Sequence, residues 1–156
     1  MNTRTLLQDQ LGATHQILVR SVGDVSDAES RQMPIATLSP VIWQLGHLVV
    51  IDGYIARKAG GRAAAAPAEY VPLFKTGTGG KAGYPPLDEI ASAFDDTHEA
   101  LGRALAESKL DAPNEGPGGL WKDVGGMFVF ANNHRWYHIG KITSLRALLG
   151  KRRLFG

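Results

Sequence analysis

Two histidines four residues apart, His134 and His138, stand inside a helical period that runs over residues 127–150, MFVFANNHRWYHIGKITSLRALLG. At about 100° per residue, positions i and i+4 lie one above the other on a helix, so both imidazoles project from one face. On a wheel centred on His138, Met127, Ala131, His134, Ile142, Leu145 and Leu149 fall within about 40°, while Asn133 and Trp136 fall well away. The pair therefore sits on the apolar stripe that the helix turns toward its neighbours. An imidazole nitrogen buried without a partner costs about 1–3 kcal/mol, so something must satisfy both rings. Backbone carbonyls or buried hydroxyls would do so for core histidines, and a metal ion would do so for a chelating pair.

The same period recurs three times upstream. From Thr3 to Val22 the apolar positions are Leu7, Leu11, Leu18, Val19 and Val22, after Asn2 or Thr3 as N-cap, with His15 within about 60° of Leu11, Leu18 and Val22. Gly23, Pro34 and scattered polar residues break the period in the connection that follows. Ser39 before Pro40 signals the start of a second helix, with the serine hydroxyl as cap, and Gly60 and Gly61 end it after Lys58. Around His47 this helix carries Trp43, Val50, Ile51 and Tyr54, and Gly46 permits a close approach by a neighbour. Pro86 opens a third helix that runs to Ser108, with Leu87, Ala91, Phe94, Leu101 and Leu105 inward and His98 in the middle of that stripe.

Residues 60–86, rich in glycine, alanine and proline, are too long for an ordinary turn and form a crossover whose apolar patch, Tyr70, Val71, Leu73 and Phe74, acts as a lid or as plain cover. A second long loop, 110–126, carries Trp121. No internal repeat and no period-two pattern is present. Four amphipathic helices with two long connections predict an all-α fold, a single-domain four-helix bundle over residues 1–156.

The chain has no cysteine, which removes thiolate sites, a cysteine nucleophile and any disulfide framework, and leaves histidine and carboxylate as the strong ligands. All five histidines fall on inward faces, whereas Asp52 lies about 140° from His47 and Asp96 about 160° from His98, which argues against a dicarboxylate di-iron site. Imidazoles without carboxylates suit one borderline divalent ion: zinc first, with nickel, iron and manganese also open. Three protein ligands would leave a coordination position free, the mark of a catalytic site. With no inward Asp or Glu, the role of general base would fall to His15, His98, Tyr54 or a metal-bound hydroxide itself. Net charge is +2 and the basic residues are dispersed except for Lys151, Arg152 and Arg153, so no nucleic-acid surface is expected. No apolar run has the length of a signal peptide or a membrane span, which leads to the expectation of a soluble, cytoplasmic protein.

The segments WQLGHL around His47 and HRWYHIGKITSLRALLG from His134 resemble the DinB-like superfamily, four-helix bundle metalloproteins that include YfiT-like metal-dependent hydrolases and thiol-dependent transferases. PLF followed by glycines and then YPPLDEI is similar to that family's crossover and third helix. The resemblance spans nearly the whole chain. It implies that His47, His134 and His138 are the metal ligands, and that the metal activates water or a low-molecular-weight thiol for hydrolysis or thiol transfer on a small molecule. The other class of function is a metal-binding stress-response bundle that does no chemistry.

Val129, Trp136, Gly140, Thr143 and Ala147 repeat on the outward side of the last helix and either form a homodimer contact or let Trp136 pack under the Trp121 loop; the resemblance implies the homodimer. His15 and His98 are expected not to touch the metal. His98 is read as a core residue among Phe94, Leu101 and Leu105, and His15, beside Gln8, as the better candidate for a catalytic role in the pocket, together with Tyr54.

Overall fold

The computed structural model describes residues 2–60, 66–80 and 83–155 of the chain. Among them it contains helices and no strand: α1 (Thr3–Val22), α2 (Asp27–Ser30), α3 (Val41–Lys58), α4 (Tyr70–Phe74), α5 (Leu87–Glu107) and α6 (Val124–Leu148), with a 3-10 turn at Pro117–Gly119. The long helices α1, α3, α5 and α6 pack as the expected four-helix bundle, with α3 and α5 in the most extensive contact. No helix among the described residues is long and apolar enough to cross a membrane.

Local chemistry sets the ends. Asn2 caps α1 by accepting from the Thr5 amide at 2.9 Å, and Asp123 caps α6 by accepting from Gly126 at 2.7 Å, so α6 begins three residues before the expected start at Met127. The expected Ser39 cap on α3 is absent. Pro40 takes the N-cap position itself, without a side-chain bond, and the Ser39 carbonyl instead accepts from Gln44. The short helix α2 lies in the connection that had looked aperiodic, and it begins with a capping box in which Ser26 and Glu29 satisfy each other's amides. Asp27 then accepts from the Leu87 amide at 2.8 Å and so supplies the cap that Pro86 cannot give to α5.

The core has two parts. One gathers Leu18, Leu45, Phe74, Phe94 and Ile142; the other gathers Leu7, Leu11, Ile55, Leu101, Leu105 and Phe128. Arg135 of α6 stands between them, fully buried, bonded to the Leu11 carbonyl and with its guanidinium 5.2 Å from the centre of the Phe94 ring. The crossover helix α4 lies on α3, where a side chain at Gly46 would reach within 2.4 Å of the Phe74 ring. Gly46 thus permits the expected close approach, made by the crossover rather than by another long helix. Residues 61–65 and 81–82 of that crossover lie outside the described residues.

Candidate metal centre

Three histidines converge between α3 and α6. His47, His134 and His138 each present a ring nitrogen, and these atoms all lie within 4.8 Å of one another. His47 and His138 are buried and His134 is half-buried. Their rings touch pairwise, with centroids 5.2 Å apart for His47 and His134, 5.1 Å for His47 and His138, and 4.5 Å for His134 and His138.

The outer partners set the protonation of two of the three rings. His47 donates through Nδ1 to the carbonyl oxygen of Phe74 at 2.7 Å, and His138 donates through Nδ1 to Gln44 Oε1 at 2.6 Å. Because a carbonyl oxygen can only accept, both rings carry their proton on Nδ1 and keep a lone pair on Nε2. Gln44, one turn before His47 on α3, is held in turn by donating from Nε2 to the Ser39 carbonyl at 2.9 Å. Trp43 stacks on His47 at 4.8 Å and donates to Thr78 Oγ1 at 3.0 Å, tying this ring pair to the crossover. The apolar patch of the crossover therefore does more than cover the bundle, since its Phe74 carbonyl orients a site histidine.

Burial disfavours the protonated form of all three imidazoles. It lowers His47, against the opposing hydrogen bond to the Phe74 carbonyl, and pushes His134 down to about 4 and His138 down to about 2; Lys141 acts in the same direction on all three, and the neighbouring histidines do so on His134 and His138. At neutral pH the group is thus three uncharged rings. His134 Nε2 lies 3.1 Å from His138 Nε2, and His134 Nδ1 is buried without a partner. A single shared proton can satisfy one pair of these nitrogens, whereas a cation can be met by all three lone pairs. The donor set of three neutral nitrogens with oriented outer partners fits a borderline divalent ion, and the three-histidine group can hold one.

His15 and His98 lie elsewhere. They stack on each other at 3.9 Å, and His15 Nε2 pairs with Asp95 Oδ1 at 2.7 Å across α1 and α5. The other ring touching His15 is Phe94, none of the three convergent histidines is in contact with it, and Gln8 is exposed to solvent. The structure thus places His15, expected in the pocket, against a carboxylate of α5 and in a cluster with His98 and Phe94. His98 is half-buried and accepts at Nδ1 from Arg135 at 3.4 Å, so it faces a guanidinium as well as apolar surface. Tyr54, the other candidate base, is two turns beyond His47, roughly 10 Å along the axis, and its side chain is exposed.

The reading of carboxylates also needs correction. Asp52 is fully buried and binds Arg135 through Oδ2 at 3.0 Å to Nε and 2.8 Å to Nη2. Burial raises Asp52 above the ordinary carboxylate range and the guanidinium opposes that rise. A wheel angle measured from His47 missed it because α3 is packed by α4, α5 and α6 at once and so buries residues on more than one side, Asp52 as well as His47. Arg135 was legible in principle, being about 60° from His138 on the inward side of α6.

Two residues beside the group went unremarked in the sequence. Tyr137 meets His138 edge-on at 5.2 Å and stacks beside His134 at 6.5 Å, while Lys141 places its ammonium 4.2 Å from the centre of the Tyr137 ring. The reading of Trp136 under the Trp121 loop fails, because Trp136 is 47% exposed and Trp121 packs on Phe130 instead.

The family model described as the DinB superfamily matches residues 10–142, a span that takes in all three convergent histidines. No curated protein and no solved structure matches the chain.

Proposed function

The chain belongs to the DinB superfamily, and we propose that it is a metal-dependent enzyme in which His47, His134 and His138 hold one divalent ion. Zinc is the first choice, with nickel, iron and manganese as alternatives, and the substrate is a small molecule that undergoes hydrolysis or transfer to a low-molecular-weight thiol. The observation that carries this reading is the convergence of three neutral imidazoles within 4.8 Å, two of them fixed in one tautomer, with no carboxylate among them. When bound, such an ion acts as a Lewis acid that lowers the pKa of a water or thiol beside it.

The protein's own contributions are of three kinds. Phe74 and Gln44 orient two rings and hold their protons away from the site. Burial keeps the imidazoles neutral, and therefore able to donate lone pairs, well below ordinary histidine pH values. Tyr137 and the half-buried His134 form the side of the group nearest solvent, where a small molecule would enter.

The test is elemental analysis of the purified protein, followed by turnover assays with thiols and with ester or amide substrates. One equivalent of metal and turnover that disappears on chelation are expected. Metal without turnover would favour the non-catalytic stress-response bundle, and full metal content in both His134→Ala and His138→Ala would overturn the ligand assignment. We also propose a homodimer through the outward face of α6, supported by the exposure of Val129 and Trp136 and the open surface at Gly140. Light scattering at micromolar concentration tests it, and a monomer mass would refute it.

A further inference from the structure

Lys141 is placed as though it belongs to the site. On α6 it follows His134 by seven residues and His138 by three, which puts it about 20° and 60° from them around the helix axis. It is half-buried, and its ammonium rests on the Tyr137 ring, which itself touches the rings of His134 and His138. Among the described residues no carboxylate pairs with it.

A positive charge beside a group suited to a cation is unfavourable by itself, since it repels the ion as it repels a proton. The buried carboxylate of α3, Asp52, is already paired with Arg135. The loaded group would thus be three neutral rings, a divalent ion and an ammonium, with no internal counter-charge. That arrangement is completed by an anion.

We propose that Lys141 selects negatively charged small molecules for the three-histidine group, a carboxylate-bearing thiol first among them; this rests on the metal and thiol reading given above. The sulfur would approach the histidines from the Tyr137 side while the carboxylate meets the ammonium, so Lys141 is a specificity residue and not a metal ligand. Lysine suits this role because its compact charge on a flexible stem can follow carboxylates of different reach.

The experiment uses the full chain loaded with Co2+, whose visible spectrum reports thiolate binding, and three probes that share a thiol and differ in charge: 3-mercaptopropionate, 2-mercaptoethanol and 2-aminoethanethiol. The parent should bind 3-mercaptopropionate about tenfold more tightly than 2-mercaptoethanol, and 2-aminoethanethiol most weakly. Lys141→Met should erase that order while binding Co2+ at least as tightly as the parent, and Lys141→Arg should keep it. Equal affinities in the parent, a preference that survives in Lys141→Met, or one that is lost in Lys141→Arg would overturn the role of Lys141. If Co2+ does not load, or if no thiol changes the spectrum, the metal and thiol reading itself falls.

Discussion

Neighbouring residues of one helix serve two polar clusters that solve the same problem in opposite ways. Arg135 brings its own cation into the bundle, where Asp52, the Leu11 carbonyl and His98 surround it. His134 and His138 point instead toward His47, and there three lone-pair donors meet with no cation of the protein among them. The first cluster is a filled site built from charges of both signs. The second is neutral, converges on a point, and is braced from outside by Phe74 and Gln44. Buried polar groups are satisfied by the chain where the role is structural; where the chain leaves its acceptors facing one another, the missing partner is to be sought outside it.

The largest effect should come from breaking the filled cluster. Asp52→Ala strands a fully buried guanidinium and is expected to cost about 3–5 kcal/mol of stability in urea unfolding, whereas the paired change Asp52→Leu with Arg135→Met should cost clearly less than the single one. If the paired change is as damaging as Asp52→Ala, the pair does more than satisfy itself and the contrast with the histidine group weakens.

The histidine group should respond to added metal, and the filled cluster should not. A divalent ion at about 100 times its Kd should stabilise the parent by about 2.7 kcal/mol, seen as a rise in Tm. The rise should vanish in His47→Ala, His134→Ala and His138→Ala and persist in His15→Ala and His98→Ala. Its loss in His98→Ala would merge the two clusters into one. The pH dependence of the metal-free protein follows from the same burial. Unfolded histidines titrate near 6.5, whereas His134 and His98 are held down to about 4 and His138 to about 2. Below 6.5 the unfolded chain binds more protons than the folded one, so stability that is complete above 6.5 should fall as pH drops toward about 4. Protons should compete with the metal near pH 4, lower than the value of about 6 expected for unburied imidazoles.

The smallest of these effects concerns the outer brace. Gln44→Leu keeps the three histidines and removes the acceptor that fixes His138, and should weaken metal binding about 10- to 100-fold with little change in stoichiometry. An unchanged affinity would mean that packing alone orients the ring.

Much of this was written in the chain. The period of 3.6 with caps and breakers marks the four long helices to within a few residues, and the i, i+4 spacing of His134 and His138 alone puts two imidazoles on one face. The short helix α2 was also legible, since Ser26 and Glu29 have the spacing of a capping box, and the broken apolar period concealed it. Bringing His47 to the pair was a step that the residues alone left open and that the family resemblance supplied.

Other features depend on distances across the bundle, which no local period encodes. Asp52 meets Arg135 over 83 residues, and Phe74 and Gln44 reach His47 and His138 over 27 and 94. A wheel assigns each helix one inward face, and that holds for α5, which alternates between core and solvent. It fails for α3, which is enclosed on several sides and can bury a carboxylate far from its histidine. Residue type and spacing fix the helices, the chelating pair and the lack of any cysteine thiolate ligand from the chain itself. Which histidines converge, which one pairs with Asp95, and where the buried charges find each other are set instead by which helix faces come into contact across the bundle.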